Sequence, residues 1–303
     1  MDSFGVVGFV GAGILWRAIR LFPAAEQLRQ VIATAVFMFF LPVLTFRSML
    51  HAPLGSVLWQ IPLVAASSII GTALTGWLLC RTTSLAPPAA AAFVLTSAWG
   101  NVTYLGIPLL RATIAPEATY VAVLFDFAAS TPLLWTLGVG LIHVIAGPPK
   151  DVRISRLHWL AIPPLWAAIA GLSMQALGIA LPAMFDRILE IIAAAVIPLM
   201  MFALGLSLRW EYLRQWRMLV PVATLKLLVA PAIATVVSLA VGLGGIALRA
   251  AILEAAMPTM MLTLVVAERY HLESERVAAA IAVTTITSVV TLPLWWLVGS
   301  MLA

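Results

Sequence analysis

The sequence predicts an all-α integral membrane protein with ten transmembrane helices. Of its 303 residues, 63% are hydrophobic and only 10% are charged, whereas a soluble domain averages about 45–50% apolar and about 25% charged residues. Because a spanning helix needs about 20 apolar residues, ten such helices with short turns use most of the chain. No stretch long enough for a soluble domain is left between them.

Apolar runs separated by charged or Pro/Gly-rich turns place the spans along the chain. The predicted spans are 3–21, 28–50, 54–80, 87–113, 117–146, 158–181, 187–208, 217–243, 246–270 and 275–302. The longest polar interruption follows the fifth span. It divides the chain into a first five-helix set at 1–146, a linker at 147–157 and a second five-helix set at 158–303.

Positive residues fall unequally on the two sides of the predicted membrane. One side carries twelve of them: Arg17, Arg20, Arg29, Arg81, Lys150, Arg153, Arg156, Arg209, Arg214, Arg217, Arg269 and Arg276. The other side carries four: Arg47, Arg111, Arg187 and Arg249. Because cytoplasmic loops are enriched in Lys and Arg, we expect a multi-pass protein of the cell (inner) membrane with a cytoplasmic linker and both termini outside.

Proline-centred segments of the first half recur in the same order in the second half. The pairs are Pro23 with Pro182, Pro42 with Pro198, Pro62 with Pro221 and Pro132 with Pro293, at offsets of 159, 156, 159 and 161 residues. A recurrence at a nearly constant offset indicates an internal repeat. Since each half has an odd number of spans, the second half enters the membrane in the opposite sense, which predicts the inverted repeat found in many secondary transporters.

Spans four and nine carry helix-breaking residues at corresponding places. Those in span four are Gly100, Asn101, Thr103, Tyr104, Gly106 and Pro108, and those in span nine are Pro258, Thr259 and Thr263. The backbone groups freed by such breaks are tolerated in a membrane where they line a polar cavity, and half-helix N-termini attract negative charge. The paired breaks predict a binding site for an anionic group such as a carboxylate. The alternative at each break is a proline kink absorbed by a neighbouring helix.

Three segments of the chain resemble the auxin efflux carrier family, which includes bacterial organic-acid permeases and plant PIN-type carriers. They are 40–46, 100–110 and 258–270, and the likeness continues to Pro293. The resemblance implies a scaffold domain of spans 1, 2, 6 and 7 and a transport domain of spans 3–5 and 8–10. In such a fold the broken spans four and nine cross near the substrate, with Asn101 at the family's crossover asparagine and Pro258 at its crossover proline.

Two positions depart from the plant members of that family. Gly100 and Thr263 stand where plant carriers tend to have prolines, and the long central cytoplasmic loop of those carriers is absent. These departures favour a small bacterial-type carrier of carboxylates over a carrier of auxin.

Three ionisable residues, Asp126, Lys226 and Glu254, lie inside predicted spans. Inserting such a group costs about 2.5–3.5 kcal/mol, so each should face protein or water. One interpretation is a coupling network for a proton or a sodium ion, with Lys226 assisting anion binding. The other is a structural ion pair, and the sequence does not say which acid Lys226 would pair with. Span ten adds a polar stripe at helical spacing, formed by Thr284, Thr287, Ser288 and Thr291.

Together these patterns predict a secondary active transporter of a small organic anion that works by alternating access of the elevator type. The sequence carries no ATP-binding, catalytic or metal-binding motif, so we expect no enzyme activity, no catalytic residue, no cofactor and no metal. The alternative is a non-transporting membrane sensor derived from a transporter fold. Expected partners are the organic anion, a coupling proton or sodium ion, the lipid bilayer and a second copy bound through the scaffold helices, but no nucleic acid.

Overall fold

The computed structural model describes residues 3–20, 22–147, 158–207 and 216–303. Most of the predicted linker, 148–157, lies outside these residues, as do Arg209 and Arg214. Within the described residues the regular structure is helical, apart from one isolated β-bridge.

The helices, in chain order, are α1 (Ser3–Ala18), α2 (Ala25–Leu50), α3 (Val57–Arg81), α4 (Pro87–Ala98), α5 (102–113), α6 (Pro116–Ala146), α7 (Pro163–Ala176), α8 (Ala183–Ser207), α9 (216–240), α10 (Gly245–Ala255), α11 (Leu262–Arg269) and α12 (Ser274–Leu302). Prolines occupy the first helical positions of α4, α6 and α7, where their missing N–H is not needed. Most predicted spans correspond to one helix each. Spans four and nine each correspond to two short helices, α4 with α5 and α10 with α11.

Several helices widen locally into a π-helical turn just before a proline. In the described residues, the turns Val36–Phe40, Val102–Gly106, Asp126–Ser130 and Leu225–Val229 end two residues before Pro42, Pro108, Pro132 and Pro231, respectively. Proline has no N–H to donate, and its ring pushes away the carbonyl of the residue four positions earlier. The extra residue in each turn accommodates that carbonyl without ending the helix.

Six of the described helices are long and apolar enough to cross a membrane: α2, α3, α6, α8, α12 and the Leu219–Ala240 part of α9. Backbone polar groups are satisfied inside a helix, which is why helices can cross hydrocarbon. The chain is therefore a multi-pass, all-helical membrane protein.

The helices form two compact units. Unit 1 contains α1, α2, α7 and α8, together with α5 from Thr103 and the start of α6 up to Val123. Unit 2 contains α3, α4, the rest of α6, and α9 to α12. Each unit therefore draws helices from both halves of the sequence.

Close backbone contacts at glycine hold unit 1 together. A Cβ atom added to Gly13 of α1 would overlap the carbonyl oxygen of Phe202 and lie 2.8 Å from the amide nitrogen of Leu206 in α8. A Cβ atom added to Gly171 of α7 would likewise overlap the carbonyl oxygen of Phe46 in α2. Small residues allow membrane helices to approach this closely and gain packing energy.

Unit 2 is built around α3, which packs against α4 and α9. The Ser68 hydroxyl donates to the carbonyl oxygen of Ala230 at 2.8 Å, and the Gln60 amide donates to that of Val241 at 2.6 Å. These bonds fasten α3 to α9 and to the turn after it. An apolar cluster that includes Ile69, Leu95 and Leu134 lies beside the end of α4.

The glycine contacts predict that one added methyl group loosens unit 1. Gly13→Ala forces a side chain into the backbone of α8, and overpacking of this kind costs about 1–3 kcal/mol. We expect a lower melting temperature for purified Gly13→Ala protein in detergent. Gly11→Ala, in the same helix, is the matched control because nothing lies within 4 Å of its added Cβ atom. Equal melting temperatures for the two variants would contradict the packing described here.

Candidate functional site

The two helix breaks of unit 2 cross each other as short extended segments. Gly100 and Thr259 form an antiparallel β-bridge. The amide of Asn101 donates to the carbonyl oxygen of Pro258 at 2.7 Å, and the amide of Met260 donates to that of Trp99 at 2.9 Å. Each break therefore satisfies backbone groups that the other break has freed, which hydrocarbon alone could not do.

Buried side chains attach the crossing to three helices of unit 2. The Thr259 hydroxyl donates to the carbonyl oxygen of Thr96 in α4 at 2.8 Å, and the Thr259 amide donates to the Thr284 hydroxyl of α12 at 3.1 Å. The indole N–H of Trp99 donates to the carbonyl oxygen of Ser130 in α6 at 3.0 Å. The segment is thus held rigidly despite its lack of helical hydrogen bonds.

Lys226 reaches the crossing from α9. Its ammonium donates to the carbonyl oxygen of Ala255, the last residue of α10, at 2.7 Å. A Cβ atom built on Gly100 would lie only 3.2 Å from the Lys226 Nζ atom and 3.0 Å from its Cε atom. The glycine that departs from the plant pattern therefore makes room for a buried positive charge.

Two carboxyl groups share the interior of unit 2 with Lys226. Glu254 is 0% exposed, and no group of the described residues donates a hydrogen bond to either of its carboxyl oxygens. Asp126 is also buried and accepts a hydrogen bond from the Thr131 hydroxyl at 2.7 Å. Among the described residues no carboxyl oxygen lies within 4 Å of the Lys226 ammonium. The sequence left open which acid pairs with Lys226. In this structure its hydrogen bond goes to a backbone carbonyl instead.

Asn101 has a polar side chain without a described partner. The residue is 2% exposed, and its backbone amide is used in the crossing, but its side-chain amide makes no hydrogen bond with the described residues. A buried amide normally finds partners. The side-chain amide of Asn101 is an exception among the described residues.

The residues predicted to bind substrate fall into two groups. Gly100, Asn101, Pro258, Thr259 and Thr263 belong to unit 2, and all five are buried. The Thr263 hydroxyl, in the first turn of α11, donates to the carbonyl oxygen of Met260 at 2.6 Å.

The other group belongs to unit 1. Thr103, Tyr104, Gly106 and Pro108 lie on α5, where Thr103, Gly106 and Pro108 are buried and Tyr104 is half-buried. The structure thus brings Pro258 and Thr259 together with Gly100 and Asn101. It assigns the rest of the span-four motif to a different compact unit.

Sequence reasoning missed two residues that shape the crossing. The backbone carbonyl of Thr96 accepts a hydrogen bond from the Thr259 hydroxyl. Trp99 accepts from the amide of Met260 through its carbonyl oxygen and donates to the carbonyl of Ser130 through its indole N–H. The sequence signal for Trp99 was a large aromatic residue that follows small residues and directly precedes Gly100. Thr284 was recognised only as part of the polar stripe of span ten. Among the described residues, no three His, Cys, Asp or Glu side chains are grouped to hold a metal ion.

The family model described as "Membrane transport protein" matches residues 14–296. The chain belongs to this family, that of the auxin efflux carriers. The match includes both helix breaks and the ionisable residues of unit 2. Membership of the membrane transport protein family confirms the resemblance and identifies transmembrane transport as the activity class.

Relatives of this member of the membrane transport protein family also bear transporter names. An "Uncharacterized transporter" of Methanothermobacter thermautotrophicus is 29% identical over 259 residues, which are 84% of this chain and 84% of that protein. An uncharacterized transporter of Methanocaldococcus jannaschii is 28% identical over 67% of this chain and 66% of its own. A Rhizobium meliloti protein named "Putative malonate transporter" is 27% identical over 64% of this chain and 62% of its own.

The crossing predicts a specific effect of removing the Thr259 hydroxyl. Thr259→Val deletes the donor to the Thr96 carbonyl, and interhelical hydrogen bonds in membranes average about 0.6 kcal/mol, with a maximum of about 1.7. We expect a lower melting temperature for Thr259→Val and a nearly normal one for Thr259→Ser, which keeps the hydroxyl. Thr136→Val is the control, because that exposed hydroxyl bonds only within its own helix. If Thr259→Ser is as unstable as Thr259→Val, the hydrogen bond is not the cause.

Proposed function

We propose that this protein is a secondary active transporter of a small carboxylate, bound at the crossing of the two helix breaks. The observation that carries the proposal is that the buried side-chain amide of Asn101 makes no hydrogen bond with the described residues, while the ammonium of Lys226 is buried close to the preceding residue, Gly100. An amide N–H can donate to a carboxylate oxygen, and a nearby positive charge lowers the cost of burying the anion. No described hydrogen bond already occupies that amide.

The neighbouring residues have supporting roles in this site. Gly100 leaves room for Lys226, while Pro258 and Thr259 hold the opposite segment in place through the hydrogen bonds of the crossing. Because the Thr259 and Thr263 hydroxyls already donate to carbonyl groups, they shape the site and have only acceptor capacity left for a ligand. Thr103, Tyr104, Gly106 and Pro108 on α5 stay predictions.

Local geometry supports an inverted repeat of ten spans, with α4–α5 and α10–α11 as the broken fourth and ninth spans. Gly13 approaches the carbonyl oxygen of Phe202, and Gly171 approaches that of Phe46. Gly171 follows Gly13 by 158 residues, and Phe202 follows Phe46 by 156. The bridged residues Gly100 and Thr259 are 159 apart. These offsets match the proline pairs.

The composition of the two units supports the scaffold and transport assignment. Unit 1 holds α1, α2, α7 and α8, which are spans 1, 2, 6 and 7, while the crossing and the buried charges belong to unit 2. Residues 103–123, from the predicted transport spans 4 and 5, also belong to unit 1 and depart from this assignment. We propose alternating access in which the transport domain moves against the scaffold, with a homodimer formed through scaffold helices. The distribution of positive residues supports an inner-membrane location with a cytoplasmic linker and both termini outside.

The relatives favour a short carboxylate as the transported anion. The Rhizobium meliloti relative carries malonate in its name, and malonate is a small dicarboxylate that fits the expectation from the sequence. We therefore take malonate as the first substrate to test, ahead of auxin-like acids.

Buried Glu254 is the strongest candidate for ion coupling. An ionised carboxyl group buried without a hydrogen-bond donor is costly, so a proton or a cation brought to it stabilises the site. Glu254 is the next-to-last residue of α10, four residues before Pro258, and Asp126 and Lys226 are the other ionisable groups of the network. Binding at Glu254 would thus be felt directly at the crossing.

Flux into proteoliposomes tests the transport proposal. Wild-type protein should take up labelled malonate saturably, and Asn101→Ala should reduce uptake at least about tenfold, since a hydrogen bond to a charged group is worth about 1.5–3 kcal/mol. Gln30→Ala, which removes an exposed amide from α2, is the control and should leave uptake unchanged. Binding without flux under any imposed gradient would contradict transport and favour the sensor.

The coupling proposal predicts a change in the pH profile of uptake. If Glu254 carries the coupled proton, Glu254→Gln removes the titrating group and should flatten the dependence of malonate uptake on external pH between about 5 and 8. Asp126→Asn tests the second acid in the same way. An unchanged pH profile in both variants would return these residues to a structural role, and a flattened profile only in Asp126→Asn would transfer the coupling role to that residue.

A further inference from the structure

Unit 1 contains a cluster of charged residues in addition to the buried charges of unit 2. Side chains from α2, α5, the start of α6 and α8 line a cavity of about 230 Å³. Its ionisable groups are Arg47, His51, Arg111, Glu117 and Asp186. Since sites for drug-sized ligands occupy roughly 300–1,000 Å³, this cavity suits a smaller molecule.

The carboxylate of Asp186 is already paired with an arginine and a histidine in this cavity. Asp186 of α8 accepts two hydrogen bonds from the Arg47 guanidinium, each 3.0 Å long. The Nε2 atom of His51 lies 3.2 Å from the same carboxyl group. This paired geometry is the usual mode by which arginine recognises carboxylates. Arg47 and His51 therefore already hold one carboxylate in a geometry that a ligand carboxylate could share.

A second guanidinium in the cavity has no carboxylate of its own. Arg111 donates to the Thr119 hydroxyl at 3.3 Å, its one hydrogen bond among the described residues, and forms no ion pair with them. That hydroxyl in turn donates to the carbonyl oxygen of Pro116. Glu117, the other acid lining the cavity, is exposed and lies beyond ion-pair distance of Arg111.

We propose that this cavity is a binding site for a small carboxylate. Arg111 is the residue that binds the ligand, and the side chain of Asp186 competes with the ligand for Arg47. The incoming carboxylate pairs with Arg111 and competes with Asp186 for Arg47. The Arg47–Asp186 ion pair joins α2 to α8. Occupancy of the site therefore weakens an ion pair between two helices of unit 1. The site is additional to the crossing in unit 2 and does not depend on it.

Substitutions on opposite sides of this competition should act in opposite directions. Arg111→Gln removes the anchor and should weaken binding about tenfold, as expected for loss of one charge-assisted hydrogen bond. Asp186→Asn removes the competitor and should strengthen binding several-fold, because Arg47 and His51 then face the ligand. Arg187→Gln is the matched control, since Arg187 is the next residue of α8 but is exposed and pairs with Glu190.

The measurement is equilibrium binding of labelled malonate to purified full-length protein in lipid nanodiscs. All variants also carry Asn101→Ala, which removes binding at the crossing from each of them. The remaining malonate binding then reports on the cavity of unit 1, and its interpretation does not depend on the flux assay. Melting temperatures identify variants that fail to fold. We expect weaker binding in Arg111→Gln, tighter binding in Asp186→Asn and no change in Arg187→Gln.

Three results would overturn this proposal. They are the absence of malonate binding in folded Asp186→Asn protein, equal affinities in the Arg111→Gln and Arg187→Gln proteins, and displacement of malonate by an equal concentration of chloride or inorganic phosphate. The last result would show a general anion site without selectivity for carboxylates. None of the three bears on transport through the crossing, which the flux assay decides separately.

Discussion

The backbone pairing between the two helix breaks is the constraint on which unit 2 depends. A membrane offers no water to satisfy broken helical hydrogen bonds. Here the amide of Asn101 bonds to the carbonyl of Pro258 and the amide of Met260 bonds to that of Trp99, so each break stabilises the other. Neither could persist alone in hydrocarbon. The pairing uses the backbone of Asn101 and leaves its side chain without a hydrogen bond to the described residues, which is why we propose a ligand site there.

The buried charges of unit 2 follow from this arrangement. Lys226 is tolerated in the interior because the end of α10 presents the carbonyl of Ala255 to its ammonium and because Gly100 has no side chain to exclude it. Glu254 lies one residue earlier on the same helix, without a hydrogen-bond donor among the described residues. Intramembrane ionisable residues are costly and tend to be functional. The proposed site and the proposed coupling network are thus one electrostatic system.

Unit 1 is held by a different interaction, close backbone packing at glycine. Gly13 and Gly171 bring α1 against α8 and α7 against α2, and an ion pair adds a tie between α2 and α8. Close packing of this kind stabilises helix pairs in a membrane. Unit 1, held by such packing, and unit 2, with its buried charges, are the parts that we propose as scaffold and transport domain.

The sequence by itself determined the membrane class, the approximate positions of most helices and the location of the breaks, because apolar runs, prolines and glycines act locally. Prolines 42, 108, 132 and 231 even account for the wide turns that precede them. Only the tertiary structure decided what the breaks bond to, that Lys226 meets Gly100, and that Thr96 and Trp99 belong to the crossing. Most of those contacts join residues more than 100 positions apart, and helical periodicity carries no information about which distant faces meet. The cavity with Arg111 and Asp186 was invisible for the same reason.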